Sequence, residues 1–582
     1  MRNKNWLLLV LAIMLSAVLV ACSDGGDTTE EDPGTDNEET EGTETDNEGT
    51  EGEEAAGEEK ILRIAETAEI PSMDPILAED SSSIQYQDTV YEGLYRLGED
   101  GELVSGIAIK EETLVEEEGL KWTFTLRDDA VWSNGEPVTA NDFVYAWQRA
   151  IDPENGSFYA PYLMNGVIKN AQEIAPQEEG VEATMKPEDL GVSAPDDHTL
   201  VVELEKPTPY FESFAAFPTF LPLNQEFVEA QGDQFALEVE NMLFNGPFVM
   251  TEWAHEESWE LVKNDQYWDK DNVSLDGISI SVVKENSTAV SMYETDKIDR
   301  VGLNATNIDQ FATSPELISI PENVTFWLKM NQDSANYSEY MQNENFRRAI
   351  AQAVNKQAFI DTVYGNSSKP ANYLVPEGFV SHPDSSEDFR AANGDFLEFD
   401  LEAAQGYWEA AKEEIGFDEV TISFISGDTD TGMLITEFFQ NELETNLPGL
   451  TLELKNVPFN ERLEIQKRGE FELVFSGWGP DYADAISFID MFVTDGPNNE
   501  MGYSNPEYDK LVKQVKGELA LDPAARFEAM QEAERILLEE DAALAPIFQR
   551  ERALLSKPYV VGMDELNPFG PDYSYKYVDI QK

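Results

Sequence analysis

The sequence predicts a mixed α/β protein of two or three lobes, on the basis of its length and of its apolar patterns. About 520 residues, from Lys60 to Lys582, follow a polar N-terminal segment. This length exceeds what one hydrophobic core accommodates, so the chain is expected to divide into lobes. Segments with the alternating pattern of strands are interspersed with segments that have helical spacing. No internal repeat is visible.

Four segments have the pattern of half-buried strands. In 121–126, the side chains of Trp122, Phe124 and Leu126 fall on one face, because successive side chains of a strand point to opposite sides. The same alternation predicts three further strands, at 199–204, 420–425 and 450–457.

Two helices are predicted from apolar spacing and from capping residues. Across 344–364, apolar residues recur at near-helical intervals, which predicts one helix. Asp522 and Pro523 mark the start of another, since aspartate caps helices and proline suits their first turn. Apolar residues continue this second pattern as far as Leu537.

The N-terminus has the composition of an export signal. Arg2 and Lys4 precede an apolar run of 16 residues, shorter than the roughly 20 that a membrane-spanning helix needs. The run ends in Leu-Val-Ala, and the next residue, Cys22, resembles the lipid acceptor of bacterial lipoproteins. We therefore predict a signal peptide over 1–21 and lipid attachment at Cys22. The alternative is an ordinary secretory signal with a chance cysteine.

Residues 22–59 are predicted to form a disordered linker between this anchor and the folded part. The segment 23–59 contains 17 acidic residues and neither lysine nor arginine. Such a composition buries too little apolar surface to offset the entropy lost on ordering. As a flexible coil the linker would span about 35 Å, and more because like charges repel.

The folded part is strongly acidic as well. From Lys60 onwards there are 99 acidic residues against 36 basic ones. This charge repels phosphate backbones and anionic lipid head groups, which argues against nucleic-acid binding and leaves the lipid as the membrane attachment. We interpret the acidity as adaptation to high salt or an alkaline exterior, with attraction of cationic ligands as a weaker contribution.

Catalytic and metal-binding motifs are missing from the sequence. Its three histidines are far apart, and Cys22 is the only cysteine, so zinc sites, internal disulfides and thiol catalysis find no support. There is no G-x-S-x-G elbow, phosphate loop or dinucleotide fingerprint. Paired carboxylates carry no signal among 116 acidic residues. We predict that the protein is not an enzyme and has no cofactor and no metal.

Three stretches resemble one family closely. They are YEGLY at 91–95, WTFTLRDDAVWSNGEPVTANDFVYAWQR at 122–149 and SGWGPDYAD at 476–484. In order and spacing they resemble the oligopeptide-binding lipoproteins of ABC importers, the extracytoplasmic solute-binding family 5. The resemblance implies a monomer that binds oligopeptides outside the cytoplasm. Its other partner would be a permease of two transmembrane subunits and two ATPases.

The resemblance also implies a type II periplasmic-binding-protein fold with three lobes. Two hinge segments would let the lobes close on a ligand. Lobe I would be discontinuous and the other two continuous. The implied boundaries are 60–91, 224–322 and 549–582 for lobe I, 92–223 for lobe II, and 323–548 for lobe III.

Asp481 matches the family aspartate that pairs with the free α-amino group of the ligand. A buried ammonium needs such a partner, because an unpaired charge in a closed site carries a desolvation penalty of several kcal/mol. The alternative role for an aspartate in a Gly-Pro-Asp-Tyr turn is local capping. Tyr482, which follows it in the motif, is a further candidate.

Six other residues are candidates for the ligand site by the same resemblance. Trp478 would form the wall of a side-chain pocket, although a core role is the alternative. For each of the remaining candidates the alternative is a structural role. They are Glu79 and Ser81 beside the peptide backbone, Tyr159 and Tyr162 in a cleft-facing loop, and Phe459 as an aromatic wall.

The sequence departs from the Gram-negative peptide binders of this family at two positions. Those proteins have arginines shortly before the Trp-x-x-Asp motif, which help to hold the carboxylate of the ligand. Here the corresponding residues are Gln466 and Phe475, with Lys467 and Arg468 nearby. Longer peptides, or ligands with no carboxylate to be held, are therefore plausible.

Three other functions remain open at this point. The same fold could bind a dipeptide, an oligosaccharide or a metal chelate, although Asp481 argues against sugars, which offer no cation. The pocket could also serve a receptor that reads a peptide pheromone or senses nutrients. A carboxylate-based hydrolase is the least favoured of these readings.

Overall fold

The computed structural model describes residues 59–177 and 180–582. The predicted signal peptide, Cys22 and nearly all of the predicted linker lie outside these residues. Within the described part of the chain, no helix is both long and apolar enough to cross a membrane.

The strands are short, apart from two that exceed ten residues. In chain order they are β1 (Ile61–Glu66), β2 (Tyr95–Leu97), β3 (Leu103–Ser105), β4 (Leu114–Glu116), β5 (Lys121–Thr125), β6 (Val192–Asp196), β7 (Thr199–Glu203), β8 (Phe248–Ala254), β9 (Ser258–Lys263), β10 (Gly277–Val282), β11 (Arg300–Gly302), β12 (Leu317–Met330), β13 (Lys369–Pro370), β14 (Val420–Gly427), β15 (Leu450–Val457), β16 (Leu473–Trp478), β17 (Leu544–Ser556), β18 (Val560–Val561) and β19 (Asp579–Ile580).

Helices alternate with these strands, and short 3₁₀ turns join several of the elements. The α-helices are α1 (Ser81–Val90), α2 (Ala140–Ile151), α3 (Tyr159–Met164), α4 (Ala171–Ile174), α5 (Phe211–Phe214), α6 (Gln225–Gln231), α7 (Asn286–Glu294), α8 (Ser338–Met341), α9 (Glu344–Gln352), α10 (Lys356–Val363), α11 (Phe389–Asn393), α12 (Leu401–Ile415), α13 (Asp430–Asn446), α14 (Phe459–Lys467), α15 (Ile486–Ile489), α16 (Pro506–Val515) and α17 (Pro523–Arg535).

Three sheets contain most of the strands. The first has the order β1-β10-β9-β8, with β1 parallel to β10. The second is antiparallel, with the order β4-β5-β7-β6. The largest has the order β11-β17-β12-β16-β14-β15, and β13 pairs with β17 at its side. In this sheet β14 runs parallel to β15 and β16, whereas β12 and β17 run antiparallel to each other.

The burial of single residues follows the periodicity that the sequence shows. In β15, Leu450 and Leu452 are buried and Thr451 between them is exposed, as a strand with one covered face requires. In α9, Phe346 and Ile350 are buried four residues apart on one side of the helix. The four predicted strands are confirmed as β5, β7, β14 and β15, and the predicted second helix as α17.

The prediction of one continuous helix over 344–364 is wrong. The structure has two helices, α9 and α10, separated by three residues. The side chain of Asn355 accepts a hydrogen bond from the backbone N–H of Ala358 and so caps the start of α10. Apolar spacing continues across the break because both helices bury one face, so periodicity alone does not reveal the cap at Asn355.

Two of the predicted lobe boundaries fall inside long strands. Residue 323 lies in β12 and residue 548 in β17, and these two strands pair with each other over most of their length. At the edge of the same sheet, β11 pairs with the end of β17. The boundaries between the lobes stay a prediction.

Candidate functional site

A cavity of about 740 Å³ lies among segments that are far apart in the sequence. Its walls come from the N-terminal ends of α1, α3 and α13, from the length of α14, from β12, from β16 and the residues that follow it, and from the C-terminal segment 566–575. Ligand sites in proteins are typically clefts of about 300–1,000 Å³ with a few well-placed polar groups. The polar side chains of this cavity therefore decide what it can bind.

Asp481 lies in the cavity wall just after β16, and only 5% of its surface is exposed. Its backbone N–H donates to Ser487 Oγ at 3.0 Å, which fixes the turn. Tyr159 Oη donates to its Oδ1 at 3.0 Å. The second oxygen, Oδ2, is buried and has no hydrogen-bond partner among the residues described. One carboxylate oxygen is thus held in place while the other is available to a ligand.

The environment of Asp481 disfavours its charge. Burial raises the pKa of its carboxyl well above the ordinary value of 3.8, and the nearby Asp490 adds to the increase. The hydrogen bond from Tyr159 acts in the opposite direction and is outweighed. No lysine, arginine or histidine of the described chain forms an ion pair with Asp481. A cationic group of a ligand would supply that missing charge.

Aromatic side chains form part of the cavity wall. Trp478, the last residue of β16, is half-buried, and its indole Nε1–H has no acceptor within the described structure. Phe459 is the first residue of α14, and the guanidinium of Arg462 lies 5.2 Å from the centre of its ring. Flat rings such as these contact many kinds of side chain with little loss of conformational entropy.

Glu79 and Ser81 line the cavity at the start of α1. Asp80 between them caps this helix by accepting from the backbone N–H of Ser83 at 3.0 Å. Glu79 forms an ion pair of 2.6 Å with Lys467 at the end of α14. Burial raises the pKa of Glu79, and the hydrogen bond with Lys467 only partly opposes this shift. The contact joins two elements on different sides of the cavity.

Tyr162 and Tyr482, both predicted for the site, do not line the cavity. Tyr162 Oη donates to Asp490 Oδ1 at 2.6 Å, so its hydroxyl is used inside the protein. Tyr482 is buried and stacks on Tyr210 with the ring centres 4.7 Å apart. Both tyrosines therefore contact other residues of the protein instead of facing the cavity. The other six predicted residues, Glu79, Ser81, Tyr159, Phe459, Trp478 and Asp481, do line it.

Gln466 and Phe475, the two positions at which the family resemblance predicts arginines, both line the cavity. Phe475 is buried and stacks on Phe326, with the ring centres 5.4 Å apart. Stacked aromatic rings therefore occupy this part of the wall. Gln466 is buried too, and its Oε1 lacks a partner within the described residues. One helical turn earlier, Arg462 donates from Nη1 to the carbonyl of Phe475 at 3.1 Å.

Several charged residues of the cavity were not found from the sequence. Glu322 is buried between Arg550 and Arg552, and forms ion pairs with both. Lys284 Nζ lies 3.0 Å from Asp428 Oδ2 at the start of α13. No short motif marks these residues, because the partners are separated by more than a hundred positions and meet only in the folded chain.

Metal ligands are not grouped in the part of the chain that the structure describes. No set of three or more histidine, cysteine, aspartate or glutamate side chains there is arranged to hold an ion. Three acidic side chains of the cavity wall, Asp481, Glu79 and Glu322, have tyrosine, lysine and arginine partners instead.

These features agree with one class of protein. The family model of bacterial extracellular solute-binding proteins, family 5 (middle part), matches residues 102–500. The chain belongs to this family. The family consists of solute-binding proteins, which confirms the prediction that the chain is not an enzyme and that it works outside the cytoplasm.

Particular relatives extend the match to nearly the whole chain. The structure of OppA from Listeria monocytogenes bound to peptide has 43% sequence identity and a TM-score of 0.84, and the match covers 90% of this chain and 100% of that one. The dipeptide-binding protein DppE of Bacillus subtilis (strain 168) is 33% identical over 509 residues, 87% of this chain and 89% of DppE. The oligopeptide-binding protein OppA of the same strain is 32% identical over 556 residues, 94% of each chain.

The likeness to the Listeria structure also bears on the fold. At this identity and TM-score, the predicted type II periplasmic-binding-protein fold with three lobes is confirmed. The family resemblance seen in the sequence motifs is confirmed in the same way.

Proposed function

We propose that this protein captures oligopeptides in the cavity and delivers them to an ABC importer of two transmembrane subunits and two ATPases. The observation that carries the proposal is the buried Asp481 carboxylate in the wall of a cavity of about 740 Å³, which within residues 59–177 and 180–582 has no cationic partner and one oxygen without a hydrogen bond. Membership of the solute-binding family, and the peptide ligands in the names of its relatives, support the same function.

In this proposal Asp481 binds the free α-amino group of the peptide. The ammonium would donate to Oδ2 while Tyr159 continues to donate to Oδ1. Such charge-assisted hydrogen bonds contribute about 1.5–3 kcal/mol, more than those between neutral groups. The amino terminus of the peptide is thereby fixed whatever its side chains are.

The rest of the peptide would lie extended along the cavity. Residues 79–82 and 476–479 line the cavity, and in this proposal their main-chain groups pair with the peptide backbone, which gives affinity without dependence on sequence. Trp478 and Phe459 would contact its side chains. Water in a roomy cavity can bridge to polar side chains, so varied sequences are accepted.

Closure of lobes around the ligand is part of the proposal. The predicted boundaries place Glu79, Tyr159 and Asp481 in lobes I, II and III respectively. The contacts of Tyr159 with Asp481, and of Lys467 with Glu79, would then join different lobes. Closure of this kind is common in binding proteins that exchange water for ligand contacts.

The location of the protein is proposed from the N-terminal sequence. After removal of the signal peptide 1–21, lipid on Cys22 would anchor a monomer to the outer face of a Gram-positive-type cell membrane. The acidic linker 22–59 would hold the binding domain above the surface. Labelling with a radioactive fatty acid in cells tests this anchor, and a Cys22→Ala variant should lose both the label and membrane association.

A dipeptide receptor is the second candidate, because DppE, one of the relatives, is a dipeptide-binding protein. Native mass spectrometry of the protein, purified without denaturation, separates the two candidates. A ladder of added masses that fits peptides of several lengths supports an oligopeptide receptor. Masses confined to dipeptides would replace that conclusion, and a single non-peptide mass would reject peptide binding.

A further inference from the structure

One carboxylate of the cavity wall, that of Glu66, has no role in the proposal above. Glu66 is the last residue of β1, is half-buried and lines the cavity. Tyr86 Oη donates to its Oε1 at 2.9 Å. Tyr86 is fully buried and packs edge-on against Trp259, with the ring centres 5.0 Å apart. The donor is therefore fixed, and it holds the carboxylate of Glu66 in one orientation.

The second oxygen of Glu66, Oε2, accepts no hydrogen bond from the residues that the structure describes. Within the same residues, no lysine, arginine or histidine forms an ion pair with Glu66. Burial raises the pKa of its carboxyl above the ordinary value of 4.5, and the hydrogen bond from Tyr86 only partly opposes this shift. Because carboxylates removed from water are normally paired, a cation is the partner that Glu66 lacks.

A chain of ion pairs begins beside Glu66 and is balanced within itself. Arg552 Nη2 lies 2.7 Å from Asp572 Oδ2, and Glu322 forms ion pairs with both Arg550 and Arg552. Asp572 and Arg552 are close enough to Glu66 to raise and to lower its pKa, respectively. All five residues line the cavity, and we call them the anionic subsite. Two arginines face three carboxylates there, and Glu66 is the carboxylate in excess.

Tyr573 adds an unpartnered polar atom to the same part of the wall. It lines the cavity with 8% of its surface exposed, and its hydroxyl has no hydrogen-bond partner in the part of the chain described. Its ring stacks on Tyr575, with the centres 6.3 Å apart. Burial raises the pKa of Tyr575, and the charge of Glu66 adds to the increase, so Glu66 is close to this pair of rings. Buried hydroxyls without a partner usually meet a ligand or an ordered water.

The charge of the whole cavity has the same sign as the anionic subsite. Ten aspartates and glutamates line the cavity, against six lysines and arginines. A cleft lined by one sign of charge attracts ligands of the opposite sign. In the proposal above, the α-amino group of the peptide is bound by Asp481. A second cation of the same ligand must therefore come from a side chain.

We propose that Glu66 binds the cationic side chain of a lysine or an arginine of the peptide, an inference that rests on the proposed peptide-binding function. The ammonium or guanidinium would donate to Oε2 while Tyr86 continues to donate to Oε1. The ion pairs of Arg552 with Asp572 and Glu322 leave that arginine unable to take the same place. The preferred ligands are then basic peptides.

Three synthetic libraries of mixed tetra- to octapeptides test this inference, all with free termini and without acidic side chains. Each peptide of the first library has one norleucine, at a varied position. In the second library that residue is lysine, and in the third it is arginine. Norleucine has an unbranched apolar side chain, so it controls for the contacts of the lysine stem. Apparent dissociation constants are measured by calorimetry after retained ligand has been removed by unfolding and refolding.

The wild-type protein should bind the lysine or the arginine library about 5- to 50-fold more tightly than the norleucine library. Glu66→Gln should bind the three libraries alike, because the amide offers no charge to the cation. Glu256→Gln is the matched control. It removes the same charge from the cavity wall, but Glu256 is exposed, so most of the preference should remain.

Equal binding of the three libraries by the wild type, or a Glu66→Gln protein that keeps the preference, would overturn the cation subsite while peptide binding stands. Equal loss of preference in Glu66→Gln and Glu256→Gln would overturn it too, in favour of the general charge of the cavity. Failure of all three libraries to bind would reject the proposed function and the subsite with it. If Glu66→Gln does not fold, as judged by its circular dichroism, Glu66→Asp decides. Its shorter side chain should reduce the preference several-fold, and an unchanged preference rejects the subsite.

Discussion

Asp481 combines two properties that a purely structural aspartate rarely has. Among the residues that the structure describes, it is buried without a cationic partner, and only one of its oxygens accepts a hydrogen bond, from Tyr159. Buried carboxylates are normally paired, because the charged form is strongly disfavoured away from water. A residue of this kind lowers stability in the empty protein and gains a partner when a cationic ligand binds.

The raised pKa of Asp481 predicts how stability changes with pH. Because the pKa is higher in the folded than in the unfolded protein, the unfolded state binds fewer protons once the pH exceeds about 3.8. The contribution of Asp481 to stability therefore falls as pH rises from there through its folded-state pKa. The variant Asp481→Asn should melt at a higher temperature than the wild type, and the difference should grow with pH.

Differential scanning calorimetry of the empty protein at a series of pH values checks this expectation. Asp128→Asn is the control, since Asp128 is exposed, and it should follow the wild type throughout. A constant difference between Asp481→Asn and wild type at all pH values would mean that Asp481 has the same pKa in both states.

Helix α13 carries part of the cavity wall on its first turn, and a close backbone contact fixes its position. A Cβ atom at Gly432 would lie 2.2 Å from the carbonyl oxygen of Gly427, and that carbonyl also accepts from Asn456 Nδ2 at 2.7 Å. Real Cβ atoms do not approach backbone so closely, so one of the two segments would have to move. The end of β14 and the start of α13 are therefore tied together.

Gly432→Ala should lower the free energy of unfolding by about 1–3 kcal/mol, because the backbone must shift to admit the methyl group. Gly406 provides a matched comparison inside α12, where a Cβ atom would meet nothing within 4 Å. Gly406→Ala should raise the free energy of unfolding by about 0.5–1 kcal/mol through helix propensity. Chemical denaturation measures both, and destabilisation of equal size would contradict the close-contact explanation.

Among the helices and strands, the sequence predicted the short elements that bury one face most accurately. The alternation of apolar and polar residues over 450–457 predicted β15 with both its ends. The helical spacing of apolar residues over 344–364 failed to show that the segment forms two helices. Such spacing indicates which face is buried, and it continues across a break when both helices bury the same face. The cap at Asn355 is a local signal that would have divided the segment.

For the site, the sequence identified residues carried by local motifs and missed those assembled by folding. Trp478 and Asp481 lie in one stretch of nine residues, and both line the cavity. Arg462 and Glu322 also line it, but their importance depends on neighbours that the chain brings together over long distances. Tyr482 was included through its place in the motif, although its ring faces Tyr210.

The whole molecule is dominated by negative charge. The full chain has a formal net charge of −78, and from Lys60 onwards 99 acidic residues face 36 basic ones. The ion pairs that the structure shows cannot balance such an excess, so mutual repulsion of carboxylates opposes the compact state. Salt screens this repulsion, and the screening length falls from about 10 Å at 0.1 M salt to about 3 Å at 1 M.

We therefore expect the melting temperature of the protein to rise by several degrees between low salt and about 1 M sodium chloride. Screened surface ion pairs would act in the opposite direction, but each contributes only about 0–1 kcal/mol. Thermal unfolding in sodium chloride and in sucrose of equal osmolality separates screening from general exclusion of cosolvent. A melting temperature that is flat in sodium chloride, or that rises equally in sucrose, would contradict this explanation.

The role of Asp481 in binding the ligand's amino group is tested most directly by calorimetric titration of wild type and Asp481→Asn with two matched peptide libraries. One library has free amino termini and the other is N-acetylated. The substitution should weaken binding of the free-amine library by about 10- to 100-fold, the loss of one charge-assisted hydrogen bond, and should change binding of the acetylated library little. Equal losses for both libraries, or no loss for either, would contradict the assignment of Asp481 as the amino-group ligand.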